Sequence, residues 1–436
     1  MSQTERRIDR RTFVRRAGAF GALGLAPGLL AACGSDSGGG SGSSGDTIKI
    51  GYVTPSSGPL AEFAAADDFI LAQIRKQFAA GIPTKAGTRK VEVLVRDSQS
   101  SSDTAGSVAG DLILKDGIDL MVVGSTPENA NPVSDQCELN GIPCISSTAP
   151  WQSWFFGRKG DADKPFQFTY HFFWGLEDLT AVYTDLWSQV DTNESVGALW
   201  PNDSDGNAFA DAKTGFPAAL KQGGYQLTDP GRYEDLTNDY TAQISRFKAA
   251  GNDIVTGVPL PPDFGKFYKQ AAQQGLRPKV VTVAKAILFP SAVESLGALG
   301  EGLSSEIWWS PDHPFESSLT GTSCKALADG YTTATKKQWT QPIGFAHALF
   351  EVAADVLKRS DPKDRKGVAA AIKATKLDTI VGTVDFSSGP VPNVAKTPLV
   401  GGQWVKGTTF PYDLTICTNK LATNIPKAGT LKAIGS

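Results

Sequence analysis

The stretch that most constrains this chain covers residues 122–151, VVGSTPENANPVSDQCELNGIPCISSTAPW. An apolar run over 119–123 breaks at Gly124 into a polar turn. A helical segment is expected over about 132–139, followed by a second apolar run over 142–145 that stops at another polar turn, 146–148. This pattern reads as strand–turn–helix–strand–turn, with both polar turns on one edge of a parallel sheet. Open α/β sheets bind ligands outside the carboxyl ends of their strands. The two turns are therefore expected to face a cleft that the rest of the chain completes.

The front of the chain reads as an address and a tether. Arg10-Arg11-Thr12-Phe13-Val14-Arg15 is a twin-arginine sequence, and an apolar, Gly/Ala-rich segment follows over residues 17–32. That segment is shorter than the roughly 20 apolar residues a membrane-spanning helix needs. It ends in Leu30-Ala31-Ala32-Cys33, which looks like a lipobox, so Cys33 is the expected lipidated N-terminus of a protein anchored by lipid to the outer face of the cytoplasmic membrane. Residues 34–45 are almost all Gly, Ser and Asp, too poor in apolar surface to fold, and form a flexible tether.

Removing residues 1–32 takes away six arginines, one glutamate and one aspartate, which moves the formal charge from −3 to −7. A mildly acidic body argues against nucleic-acid binding, which usually shows a basic patch. Four cysteines remain beyond Cys33: Cys137, Cys144, Cys324 and Cys417. An even number in an exported chain points to disulfides, with Cys137–Cys144 and Cys324–Cys417 as the first pairing to test; four free buried thiols are the alternative.

Beyond the tether, strands and helices alternate. Thr47-Ile48-Lys49-Ile50-Gly51-Tyr52-Val53 alternates as a strand, a helix carrying Phe63, Ile70, Ile74 and Phe78 follows, and the next strand is Val91-Glu92-Val93-Leu94-Val95. Residues 151–170 interrupt the rhythm, which restarts with helices over 176–189 and 208–222, strands over 195–200, 253–258 and 279–283, and further helices between them. This is the pattern of parallel, helix-covered sheets. About 390 residues after the tether exceed one comfortable core and imply two domains.

Five segments carry a resemblance. IGYVTPSSGPLAEF, VRDSQSSSDTAG and DLMVVGSTPENANPVSDQCELNGIPCISS resemble the leucine/isoleucine/valine-type solute-binding proteins of ABC importers. YEDLTNDYTAQISRFKAAGNDIVTGVPLPPDFGKFYKQAAQQGL looks like that family's second lobe, and GTVDFSSG like its C-terminal strand and turn. The resemblance implies a type I periplasmic-binding fold: two doubly wound parallel-sheet lobes joined by three crossings. It places residues 46–170 and about 311–380 in lobe 1, and about 171–310 with 381–436 in lobe 2. It also implies a small-molecule ligand drawn between the lobes, delivery to a permease with its ATPase, and a monomer without cofactor or metal.

The same resemblance assigns the pocket. Phe63 stands where an aromatic side chain reaches the ligand. Glu128 and Asn129 fall where the family places hydroxyls for an amino-acid carboxylate, and Thr148 falls beside the place of a threonine, with Pro150 at the place itself. In the second lobe, Asp205 and the neighbourhood of Leu260 replace two customary tyrosines. Lys285 stands where amino-acid binders carry the acid that pairs with the ligand ammonium. Trp151, Trp200, Trp308 and Trp309 lie at or beside the expected cleft or crossings. A lysine and tryptophan faces favour an anionic ligand with an aromatic or otherwise apolar body over a branched-chain amino acid.

An enzyme is the rival class. The chain has no G-x-S-x-G elbow, P-loop or H-E-x-x-H, and its three histidines, His171, His313 and His347, are scattered. The cysteines lack C-x-x-C spacing. A ligand-sensing surface receptor of the same fold stays open as the other alternative.

Overall fold

The computed structural model describes residues 47–435. The leader, Cys33 and the tether lie outside the described residues. No helix among the described residues is long and apolar enough to cross a membrane.

The strands form two sheets. The first contains β1 (Thr47–Thr54), β2 (Ile82–Thr84), β3 (Gly87–Asp97), β4 (Leu120–Gly124), β5 (Cys144–Ser147), β6 (Thr169–Phe172) and β15 (Val394–Ala395), in the order β15-β6-β5-β4-β1-β3-β2. The second contains β7 (Ser195–Pro201), β8 (Gln226–Thr228), β10 (Ile254–Gly257), β11 (Val280–Val283), β12 (Ser304–Ile307), β16 (Val400–Lys406) and β17 (Tyr412–Thr418), in the order β17-β16-β12-β11-β10-β7-β8; β9 (Arg232–Tyr233) also pairs with β7. A small hairpin, β13 (Lys376–Thr379) with β14 (Gly382–Asp385), stands apart. Pairing is parallel from β15 to β3 and from β12 to β8, and antiparallel at β2, β16 and β17.

Period-two alternation explains why these short apolar runs are strands covered on both faces. In β4, Leu120 and Val122 enter one core while Met121 and Val123 enter another. The first core lies under helices Asp67–Phe78 and Pro342–Lys358; the other lies under Ala105, Ala109, Val133 and Cys137. The second sheet repeats the arrangement, with Ile254 and Val280 on one side and Val255 and Val281 on the other.

The chain passes between the sheets three times: after β6, after β12, and between β15 and β16. The last passage falls between Ala395 and Val400. The tail over 381–436, expected in the second lobe, is therefore divided, because Val394 and Ala395 pair with His171 and Phe172 in the first sheet.

Two expectations are corrected. The helix of the opening stretch starts at Pro127, not near Pro132, and runs to Asn140. Proline suits a first helical position, since its missing N–H would be unpaired there anyway. Pro132 lies inside the helix and leaves the Glu128 carbonyl without its backbone donor; the Ser102 hydroxyl supplies one instead, at 2.8 Å. The expected disulfides are absent: Cys137, Cys144, Cys324 and Cys417 are all buried free thiols. Cys324 donates to the Ile380 carbonyl and Cys417 to that of Thr415, in different parts of the molecule.

Close packing around helix Pro342–Lys358 leads to a test. A Cβ added at Gly344 would lie 2.3 Å from the Trp309 ring, whereas one at Gly110 would meet only Gln136 Oε1 at 3.8 Å. Gly344→Ala is expected to destabilise the protein by about 1–3 kcal/mol through overpacking. Gly110→Ala should be neutral or stabilise by up to about 1 kcal/mol through helix propensity. Urea unfolding of both variants checks the contrast.

Candidate functional site

The carboxyl ends of both sheets point at one cavity. Thr126 follows β4, Thr148 and Pro150 follow β5, and Phe173 and Trp174 follow β6. From the other side come Asp205 and Phe209 after β7, Val258 after β10, Ala284, Lys285 and Leu288 after β11, and Glu306 and Trp308 at the end of β12. Phe63, after β1, completes the wall. The remaining void is about 30 Å³, room for one or two water molecules.

The polar end of the second lobe is organised around Lys285. Its ammonium lies 2.8 Å from Asp203 Oδ2 and 3.1 Å from Asp205 Oδ2, and all three side chains are about 95% buried. Burial alone would pull the Lys285 ammonium down, but Asp203 and Asp205, with Glu128 behind them, reverse the effect and hold it well above its ordinary value. Burial raises Asp205 to about 7 against the opposing pull of Lys285. Asp203 also caps the short helix Ser204–Phe209, accepting the Gly206 N–H at 2.6 Å. Glu306 is buried too, accepts the Tyr183 hydroxyl at 2.6 Å, and is pushed up by burial. The carboxylates of Glu128, Asp203 and Asp205 gather within 4.8 Å of one another, and the lysine ammonium serves as the cation among them.

Two non-glycine residues in the cavity wall have left-handed backbone, Thr148 (φ 68°) and Lys285 (φ 63°). They occupy equivalent places, one just after β5 and the other just after β11. Such conformations cost about 1–3 kcal/mol and concentrate at functional sites. Four polar atoms of cavity-lining side chains are buried without a partner: Thr126 Oγ1, Trp174 Nε1, Trp308 Nε1 and Asp205 Oδ1. Leaving each unpaired costs about 1–3 kcal/mol, which a ligand's complementary groups would recover.

Residues 47–408 match the sequence profile of a family described as periplasmic binding protein. The chain belongs to that family. It is 26% identical over 359 residues to the Leu/Ile/Val-binding protein homolog 3 of Brucella melitensis, covering 78% of this chain and 87% of the relative. Among solved structures, it resembles a leucine-binding protein from Thermotoga maritima (TM-score 0.69, 16% identity, 86% of this chain and 99% of that one). It equally resembles a solute-binding protein of an ABC transporter from Rhodopseudomonas palustris in complex with 3,4-dihydroxybenzoic acid (TM-score 0.69, 19% identity, 87% and 99%). At these identities the structural likenesses speak for the fold.

In this periplasmic binding protein, five of the residues singled out from sequence line the cavity together: Phe63, Thr148, Asp205, Lys285 and Trp308. Six others lie elsewhere. Glu128 accepts the Ser204 N–H at 3.1 Å, a bond from one lobe to the other. Asn129 is fully buried in the helix after β4, its Nδ2 3.5 Å from Ser125 Oγ. Trp151 donates to Glu177. Trp200 packs against Phe209 and Phe216. Leu260 is the residue just before helix Pro261–Gln273, and Val258 takes its place in the wall. Trp309 packs against Trp339 and the helix at Gly344. Thr126 and the Phe173-Trp174 pair were missed. Thr126 carried a readable signal, a threonine directly before a helix-starting proline.

Lys285, read from sequence as a cation at the cleft, is held there by two carboxylates. Lys285→Met would leave Asp203 and Asp205 buried without their counter-charge and is expected to cost about 3–5 kcal/mol. A carboxyl whose folded pKa lies above its unfolded value costs stability above that folded pKa, and the cost is relieved as pH falls through it. The variant's deficit should therefore be larger at pH 8 than at pH 5, as read by urea unfolding at both.

Proposed function

We propose that this periplasmic binding protein captures a small carboxylic acid with an aromatic or otherwise apolar body between its lobes and delivers it to an ABC permease. It binds the solute without transforming it. The observation that carries the reading is the cavity fed by the strand ends of both sheets, apolar and aromatic over most of its wall, with unpartnered donors and an unpartnered carboxylate oxygen among its lining residues.

The roles follow from the chemistry. Phe63, Phe173, Phe209 and Leu288 offer faces to the apolar body. Thr126 and the indole N–H groups of Trp174 and Trp308 are donors for a carboxylate. An ammonium has three donors; Asp203 and Asp205 take two from Lys285 and leave one for the ligand. Asp205 Oδ1 can accept from a ligand hydroxyl or amine. The dihydroxybenzoic acid held by the Rhodopseudomonas palustris protein is a molecule of this kind. The acceptor on Asp205 also suits an aromatic amino acid. The void of about 30 Å³ holds no such molecule, so the lobes must part for entry and close less tightly around the solute.

Calorimetry on the folded protein with 3,4-dihydroxybenzoate, phenylalanine, leucine and valine tests the ligand class. Saturable binding of an aromatic acid with no binding of leucine or valine is the expected result; tight leucine or valine binding with no aromatic acid would overturn it. The anchor is tested separately. Cys33→Ser is expected to move the exported protein from the membrane fraction to the soluble one, as followed by immunoblot after fractionation.

A further inference from the structure

A second, larger hollow of about 630 Å³ lies along the seam between the lobes. Two short segments contribute residues both to this hollow and to the binding cavity. On the first-lobe side, Phe63 lines the inner cavity while its neighbours Ala61, Glu62 and Ala65 line the outer hollow. On the second-lobe side, Leu288 lines the cavity while Phe289, Pro290 and Ser291 line the hollow. The two segments meet through one aromatic pair and one hydrogen bond. Phe63 and Phe289 pack edge to face with ring centroids 5.0 Å apart, and the Ser291 hydroxyl donates to Glu62 Oε1 at 2.5 Å.

We propose that Phe63 and Phe289 are the two leaves of a door between the binding cavity and this outer hollow, and that Phe289 sets how long an apolar body the cleft accepts. The specificity part rests on the ligand reading above; the door itself does not. Each leaf belongs to a different lobe, so parting the lobes opens the door without either ring changing rotamer. Phe289 is absent from the cavity wall and acts through Phe63, which makes it a positioning residue. Beyond the door, Phe289, Pro290, Phe410, Pro411 and Tyr331 offer apolar surface that could receive the far end of an elongated solute. With the door shut, the solute must end at Phe63.

The test needs no ligand in its first arm. Trp174 and Trp308 sit in the wall of the inner cavity, both almost fully buried. Acrylamide quenching of tryptophan fluorescence should rise in Phe289→Ala and, to a smaller degree, in Phe289→Leu, which keeps most of the buried volume. The rise should vanish in a Trp174→Phe/Trp308→Phe background. No rise in a variant whose circular dichroism is native would overturn the door. A rise that survives removal of both tryptophans would overturn it equally, since that reports general loosening. The second arm compares benzoate with biphenyl-4-carboxylate by calorimetry. Phe289→Ala should shift the affinity ratio toward the biphenyl acid; an unchanged ratio would remove Phe289 as a length determinant. If neither acid binds either protein, the ligand reading falls and the length role with it, while quenching still decides the door.

Discussion

One buried lysine holds the second lobe's half of the cleft together. Lys285 follows β11, yet its ammonium reaches Asp203 and Asp205, which follow β7 on the far side of β10. Its backbone N–H points to Glu306 in the neighbouring β12. A single side chain in a left-handed turn thus ties the ends of three strands into one wall. A buried ammonium survives only where carboxylates surround it, because its desolvation is otherwise prohibitive. The ion cluster is for that reason built into the fold and does not wait for a ligand. The same cluster touches the first lobe through the Ser204 N–H, which donates to Glu128 beside Asp203 and Asp205. The wall is charged and already neutralised in part by its own ion pairs.

The two halves of the cleft divide the work unevenly. The first lobe supplies Thr126 and Thr148 at the ends of adjacent strands β4 and β5, together with the aromatic pair after β6; the second supplies the charges. Phe173 and Trp308 pack across the seam at 5.2 Å, and Trp174 packs at a tilt against Phe173 at 4.6 Å. Aromatic contacts of this kind are worth about 0.5–1.5 kcal/mol beyond their buried area. They help to hold the lobes together while making the cavity small. A solute that replaces some of this contact with its own apolar body loses little on closure, whereas a fully polar solute would forfeit it.

The fold was legible because its signal is local and repeated. Apolar runs of four or five residues, separated by helices, announce buried parallel strands, and their order carried the resemblance. The site was half legible, and the reason is geometric. The position just after a strand can be read from sequence, but which face its side chain takes cannot. Trp200 belongs to β7 and points into the aromatic cluster with Phe209 and Phe216; Lys285, just past β11, points into the cleft. Glu128 and Asn129 read as a polar turn and proved to be the first turn of a helix, because Pro127 and the Ser102 hydroxyl make room for a proline-containing start. The partners of Lys285 lie 80 and 82 residues away, which no spacing rule could supply. The cysteines failed for the opposite reason: an even count describes composition, and the thiols are simply packed in cores.

Trp151 shows what a residue beside a cleft can do without lining it. Its indole N–H donates to Glu177, which also accepts from Gln152 and pairs with Lys396 at 2.8 Å; Lys396 reaches Asp178 as well, at 2.7 Å. Glu177 and Asp178 open the helix of the first passage between the sheets, and Lys396 stands in the third. Two of the three crossings are thus clamped to each other by ion pairs and to the first lobe by hydrogen bonds from Trp151 and Gln152. Such pairs are individually weak, about 0–1 kcal/mol, and they tolerate small changes of angle that a close-packed apolar core would resist. A cleft whose lobes must part to admit a solute needs that combination: strand ends held rigidly within each lobe, and crossings held together by contacts that can bend without breaking.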